Sequence, residues 1–426
     1  MDVSPLDSCP PDVLLQILSR VDFETRLTSI PLVCKRWKGL AHSSLWRDCK
    51  ICHRDYADTL KYIKVRQWLE RYGNAIRTME MSISTLGGLH QAWSGGAAIL
   101  LHLTPHLQSL SIHDYEGYFL APDSEDFAAA QRGMRPQVLA CLTHLTVLRH
   151  LELDLGPFTS ILSQSRETEV MCLLSGLESL TIKCFTRKPP IELSTNFAYL
   201  SRLTSLTLHC TNLNGRPHKL QNPIPHLPAI QHLSLHGILA QVPLSFGDLC
   251  YLHSLSLSGF HERQPALAFP AELSSCRCLT RVVLAEMSDR TVRQWRRLCQ
   301  SLVQLPALQD LQIRDTCLGP LGLEAWEFHP KLKSLTMQKV GLMSCPAEIS
   351  DLTELTHLDL SFNSIAGLQT GPYLRRLRTL YLTRNPLYYM GHLADAPSLR
   401  HLKLGYMPFM RIADVAAVLP PACRIE

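Results

Sequence analysis

The run Leu355-Thr356-His357-Leu358-Asp359-Leu360-Ser361-Phe362-Asn363-Ser364-Ile365 decides the reading of this chain. Leu358 and Leu360 are two residues apart, so a short extended segment turns both to one side and His357 and Asp359 to the other. Leu355 lies three residues earlier, completing the pattern Leu-x-x-Leu-x-Leu. An Asn three residues after the last leucine can turn its amide inward to satisfy backbone groups in a bend. The same arrangement returns at Leu377/Leu380/Leu382 with Asn385, and the leucine pattern again at Leu399/Leu402/Leu404.

Working outward, the pattern, with Ile, Val or Met sometimes substituting, recurs 13 times from Ile76/Met79/Met81 to Leu399/Leu402/Leu404. Most copies start 22–31 residues apart; one interval of 41 residues separates Leu107 from Leu148. One copy cannot bury its own leucines, but stacked copies can. Spacing and motif match leucine-rich repeats. The expected fold is therefore α/β: a leucine-rich-repeat solenoid, a horseshoe with parallel strands on its concave face. Return segments carry apolar residues three apart, as in Pro346, Ile349, Leu352 and Leu355. Earlier copies have Thr211, Ile238, Phe260 or Thr316 in place of the Asn, which points to a less regular, longer, helix-backed repeat there. The insertion 113–147 reads either as a surface loop with a convex helix or as a flap over the concave face.

Composition agrees. A 46% hydrophobic content supports a packed core, and 19% charged residues argues against general disorder. The net charge of +5 does not call for nucleic acid, which is not expected as a partner. Fifteen cysteines without regular pairing fit reduced thiols. Met1 to Arg20 carries Asp2, Asp7 and Asp12 rather than the basic start and apolar core of a signal peptide. No stretch reaches the roughly 18 apolar residues of a membrane span. A cytoplasmic or nuclear protein without membrane contact is expected.

Ahead of the repeats, Pro10-Pro11-Asp12 opens a helix whose Val13, Leu14, Ile17, Leu18 and Val21 form an apolar stripe. Pro31 opens another, with Val33, Trp37, Leu40 and Ala41 on one face. So short a helical module cannot enclose a large core, so some of this apolar surface is expected to meet a partner. The segment from Leu6 to Trp46 resembles an F-box. It has the Pro-x-Asp-x-Leu-x-x-Ile-Leu opening at Pro10–Leu18, the Leu32-Val33-Cys34-Lys35-Arg36-Trp37 middle and the Ser44-Leu45-Trp46 close. Cys9 departs from the pattern, which usually has the larger Leu before the proline.

The combination resembles the F-box/leucine-rich-repeat family. That resemblance implies an all-α F-box that binds a Skp-type adaptor on a cullin scaffold, and repeats that hold a protein substrate for ubiquitin transfer. Carried over position by position, it implies adaptor contacts at Pro10, Ile17, Leu18, Leu32, Val33, Trp37 and Trp46. The competing account has these residues only closing a small helical core. The division expected is F-box 1–50, linker and capping helix 51–75, with Thr59–Tyr72 as the cap, and repeat domain 76–426. A repeat scaffold without a ligase role is the alternative function.

Substrate contacts are expected among the larger concave positions: Arg281, Asp310 and Arg314, then His357, Asp359, Tyr381, His401 and Lys403. His150, Glu152 and Asp154 read as an acidic patch. Other chemistry is poorly supported. Cys49-Lys50-Ile51-Cys52-His53 has haem-attachment spacing but no sign of export. Cys276 and Cys278 have no matching His pair for zinc. Arg290, Arg293, Arg296 and Arg297 beside Trp295 form a basic turn, read as a solvated face or a site for an anionic partner. No nucleotide-cradling or nucleophile-elbow motif occurs. No catalytic residue, metal ligand or cofactor is expected.

Overall fold

The computed structural model describes residues 10, 13–14, 47–51, 59–83, 99–114, 142–154, 174–186, 195–212, 218–219, 227–239, 249–260, 276–287, 292–316, 327–405 and 411–426. The core of the amino-terminal module and residues 115–141 of the insertion lie outside them. The chain divides into two units, residues 1–188 with 194–203, and residues 189–193 with 204–426.

The first unit carries β1 (Asp48–Ile51), β2 (Thr78–Ile83), β3 (Ser109–Asp114), β4 (His150–Asp154) and β5 (Ser179–Thr186), each parallel to the next. The second carries β6 (Ser205–Asn212), β7 (His218–Lys219), β8 (His232–His236), β9 (Ile238–Leu239), β10 (Ser254–Phe260), β11 (Arg281–Met287) and β12 (Asp310–Arg314). It continues with β13 (Ser334–Gln338), β14 (His357–Asp359), β15 (Thr379–Tyr381), β16 (His401–Lys403) and β17 (Arg424–Ile425). Here the parallel order is β6-β8-β10 and then β11 to β17 in sequence, with β7 and β9 paired separately. All 13 motifs form strands of this kind. The solenoid of leucine-rich repeats follows from the chain's own periodicity.

Besides β7 and β9, two strands lack the motif. β1 pairs Cys49 with Met79 inside the stretch that sequence reading divides between F-box and linker, so the sheet begins at Asp48 rather than at residue 76. β17 adds a last short strand on β16. The helix Thr59–Tyr72 lies where the cap is expected. Its Val65, Trp68 and Leu69 are buried, while Ile63 is exposed.

The register explains why the pattern repeats. Leu255, Val282, Leu311, Leu335, Leu358, Leu380 and Leu402 stand side by side on successive strands. Every apolar position of the motifs is buried, none more than 3% exposed. The backbone repeats as faithfully. The carbonyl just before a strand accepts two N–H groups from the next repeat, as Thr356 does from Arg378 (2.8 Å) and Thr379 (3.1 Å). In the first unit Gln108 accepts from Arg149 and His150 in the same way.

The three-residue spacing of the return segments has a geometric cause. Ile349 donates to the Pro346 carbonyl, Leu352 to Ile349 and Leu355 to Leu352, at 3.1–3.2 Å. These are successive i to i+3 bonds, and three residues per turn stacks Ile349, Leu352 and Leu355 on one buried line. Late returns use such 3-10 turns, at Ala347–Asp351, Pro372–Arg376 and Gly391–Asp395. The longer return before β12 holds an α-helix, Val292–Val303, as the helix-backed reading of the earlier repeats expects.

The asparagines close the bends as their position implies. Asn363 Oδ1 accepts the Val340 and Leu342 N–H groups, both at 3.1 Å, and its Nδ2 donates to the carbonyls of Met337, Leu360 and Ser361. Asn385 accepts from Ile365 and donates to Leu360 and Leu382. Where the sequence has Thr316, its hydroxyl accepts the Met287 N–H and donates to the Arg314 carbonyl, a smaller version of the same closure. Replacing Asn363 with Ala removes five hydrogen bonds to the backbone, two of them to carbonyls that keep another donor, and is expected to cost about 3 kcal/mol. The exposed neighbour change Ser364→Ala stays within about 0.5 kcal/mol. Urea unfolding of the two variants makes the comparison, and equal midpoints would contradict this account of the bend.

Candidate functional site

With the leucines turned inward, the strand residues that alternate with them point to the opposite face of the sheet. Two rows run across β10 to β16 in the second unit. The first is Ser254, Arg281, Asp310, Ser334, His357, Thr379 and His401, joined by Arg424 on β17. The second is Ser256, Val283, Gln312, Thr336, Asp359, Tyr381 and Lys403. A third, shorter row contains Ala285, Arg314 and Gln338. The eight expected substrate contacts therefore share one face. They are spread over it, since Arg281 and His401 are five strand intervals apart, roughly 24 Å at about 4.8 Å per strand.

Their electrostatic states differ. Arg281 pairs with Asp310 at 3.3 Å, and Gln312 donates to the same carboxylate at 3.1 Å, so these groups are largely satisfied by one another. Asp359 accepts the Ser361 N–H at 2.9 Å. His357 meets Tyr381 edge-on, with ring centroids 5.3 Å apart. Gln312 and Thr336 are buried although they belong to the face opposite the leucines. Arg314 Nε is buried and has no hydrogen-bond partner among the described residues. His401 and Lys403 are exposed, and Lys403 reaches Glu426 at 3.6 Å.

The first unit shows a denser polar network. Glu152 accepts from Lys183 at 2.6 Å and from Ser111 at 3.2 Å. Burial pushes its pKa up, but the hydrogen bonds from Lys183 and Ser111 and the Lys183 charge outweigh this and hold it below the usual carboxylate range. His113 stands 3.7 Å from Asp154 and bonds Ser111 at 2.8 Å. The expected acidic patch is thus a compensated network, because Lys183 and His113 arrive from neighbouring strands that the local sequence does not place there.

Other expectations find these positions. Pro10 is exposed, whereas Ile17, Leu18, Leu32, Val33, Trp37 and Trp46 lie outside the described residues. The basic turn's helix is present, with its arginine side chains outside them too. Cys49 faces the core of β1 and is buried, an orientation that suits packing against Met79 and not thioether attachment. Burial pushes the Cys276 thiol up to about 11 and the Cys299 and Cys345 thiols up to about 12, so these are protonated packing residues. Among the described residues no group of three or more His, Cys, Asp or Glu is placed to hold a metal ion. No described helix is long and apolar enough to cross a membrane.

Sequence reasoning missed one feature. Two residues after the last apolar position of their motifs, Glu286, Asp315, Lys339, Phe362 and Arg384 all take left-handed backbone angles, φ 48–60°, in line with Gly237 and Gly259. A Cβ at Gly259 would come within 2.8 Å of the Gly237 nitrogen, so glycine is required there. The later residues bear about 1 kcal/mol of strain each and project outward. Lys339 bonds Asp315 at 2.9 Å and Arg384 lies 5.8 Å from the Phe362 ring centre. The constant offset from the last apolar position of each motif was the available signal.

His357 gives a test of this geometry. Burial lowers its pKa, the charges of Asp359 and Asp310 raise it, and Arg314 lowers it, with a net shift below the ordinary histidine value. Because the unfolded chain then binds the proton more readily, His357 favours the fold above about pH 6.5 and this contribution fades as pH falls toward its folded pKa. In an NMR titration Asp359→Asn is expected to move the His357 midpoint further down and Arg314→Gln to move it up. Unchanged midpoints would show that the three side chains do not face one another.

An F-box-like family model matches residues 6–51. No curated protein matches the chain. Among solved structures, a leucine-rich-repeat protein of Leptospira interrogans is 16% identical with a TM-score of 0.40, the alignment covering 85% of this chain and 91% of that one. An internalin of Listeria monocytogenes is 15% identical with a TM-score of 0.46, covering 88% and 96%. Those likenesses are too slight to carry an argument, and the repeat assignment rests on the strands described above. The chain thus joins an F-box-like segment at residues 6–51 to parallel strands that carry the leucine-rich-repeat motif.

Proposed function

We propose that this chain is the substrate-recognition subunit of a cullin-based SCF-type ubiquitin ligase. Its F-box-like segment binds a Skp-type adaptor and through it a cullin, and its repeats bind the target protein. The observation that carries the reading is the F-box-like match at 6–51, which runs directly into the first strand of the repeat sheet. The working division is an F-box at 1–50, a linker and capping helix at 51–75 and repeats from 76 to 426, with β1 reaching back into the first part. Both modules are of the interaction type, and the ligation chemistry belongs to other subunits. The chain acts in the cytoplasm, the nucleus or both.

In this reading Pro10, Ile17, Leu18, Leu32, Val33, Trp37 and Trp46 contact the adaptor. Arg281, Asp310, Arg314, His357, Asp359, Tyr381, His401 and Lys403 supply the substrate face. A repeat scaffold without a ligase role is the second reading, favoured by Cys9 in place of the larger Leu. Binding of the purified chain to a Skp-type adaptor separates the two. The wild type is expected to bind, and an Ile17→Asp/Trp37→Ala variant with an unchanged circular dichroism spectrum is expected to lose binding. A wild-type chain that ignores the adaptor would leave the scaffold reading standing.

A further inference from the structure

One column of side chains differs in charge from one end of the second unit to the other. The residues immediately before β6, β8, β10, β11 and β12 are Thr204, Gln231, His253, Thr280 and Gln309. Before β13 to β16 the same column reads Lys333, Thr356, Arg378 and Arg400. The backbone locks these together. Arg400 donates its N–H to the Arg378 carbonyl, and Arg424 on β17 donates its own to Arg400. Arg378 and Arg400 thus stand on neighbouring strands, about 4.8 Å apart at the backbone, with no acidic residue between them in the column. Like charges placed side by side on adjacent strands destabilise a sheet.

The first unit provides a contrast. Its column contains Arg47, Arg77 and Arg149, and the last two are engaged. Arg77 donates to the carbonyls of Asn74 and Ile76, and Arg149 pairs with Glu178 at 3.4 Å. Lys333, Arg378, Arg400 and Arg424 are all exposed and form no ion pair or side-chain hydrogen bond among the described residues.

We infer that the strip before β13 to β16, centred on Arg378 and Arg400 and flanked by Lys333 and Arg424, docks an acidic, extended segment of a partner protein. Charge complementarity commits it to that occupant. From Lys333 to Arg424 the strip spans four strand intervals, roughly 19 Å, the length of about six extended residues. Asp359 and Glu426 put negative charge beside the strip, which disfavours a long phosphate backbone. Tyr381, the aromatic of that face, is half-buried and edge-on to His357, so it offers no open ring for stacking bases. The inference rests on the receptor reading only where it calls the bound segment a substrate.

Fluorescence anisotropy of the full chain with a fluorescein-labelled peptide of alternating glutamate and serine tests the surface directly. Binding that weakens with added salt is expected, together with an about tenfold loss in Arg378→Ser/Arg400→Ser. An Arg277→Ser variant, an exposed cation elsewhere in the same unit, is expected to change it less than about twofold. All three positions are exposed, and unchanged melting curves confirm folded variants. No binding of the acidic peptide, or equal loss in Arg277→Ser, would overturn the inference. An equally long single-stranded oligonucleotide binding as tightly would overturn the assignment to a protein segment. Adaptor binding measured in parallel separates the two claims. Peptide binding without adaptor binding keeps the strip and removes the receptor reading, and adaptor binding without peptide binding does the reverse.

Discussion

A repeat of this chain presents leucines that it cannot cover, and only the next repeat covers them. Leu358 is buried because Leu335 and Leu380 flank it on the neighbouring strands. The hydrophobic gain therefore depends on register, and a one-residue slip would turn His357 and Asp359 into the core. Register in turn is held by the carbonyl before each strand, which takes two N–H groups from the following repeat. The asparagines Asn363 and Asn385 close what remains, satisfying backbone groups where the chain leaves the sheet.

This constraint divides labour between side chains. Inward positions must be apolar and sized to fit, so they carry almost no information about partners. Outward positions are free, and their differences are where binding specificity is written. The free positions are not equivalent, however. Glu152 is neutralised by Lys183 and Asp310 by Arg281, whereas Arg378, Arg400 and Arg424 have no ion-pair partner among the described residues. A charge that already has a partner contributes little to a new one, because the old bond must break first. The surface is thereby weighted toward its carboxyl-terminal strands.

Much of this was legible in the sequence. The spacing of Leu355, Leu358 and Leu360 determines strand, turn and inward face, because a period of two and a lead of three allow few other arrangements. It also determines that His357 and Asp359 point outward, and that Asn363 serves the bend. The F-box-like segment was legible from Pro10 to Trp46 through its motif residues. These properties are local, or repeat at a fixed interval, and so survive in a one-dimensional string.

What the string did not contain is which repeats touch through their outward side chains. Lys183 lies 31 residues from Glu152, and Arg281 lies far from Asp310 in sequence, yet parallel register brings each pair together. Strands β1 and β17 lack the motif and join the sheet because an open strand edge is a template for pairing. The left-handed column from Gly237 to Arg384 arises because each strand must leave the sheet at the same height, whatever residue stands there. Sequence determined the repeating unit and its two faces. Tertiary stacking alone decided which outward charges meet a partner and which are left open, because that depends on the residue one strand away rather than one position along.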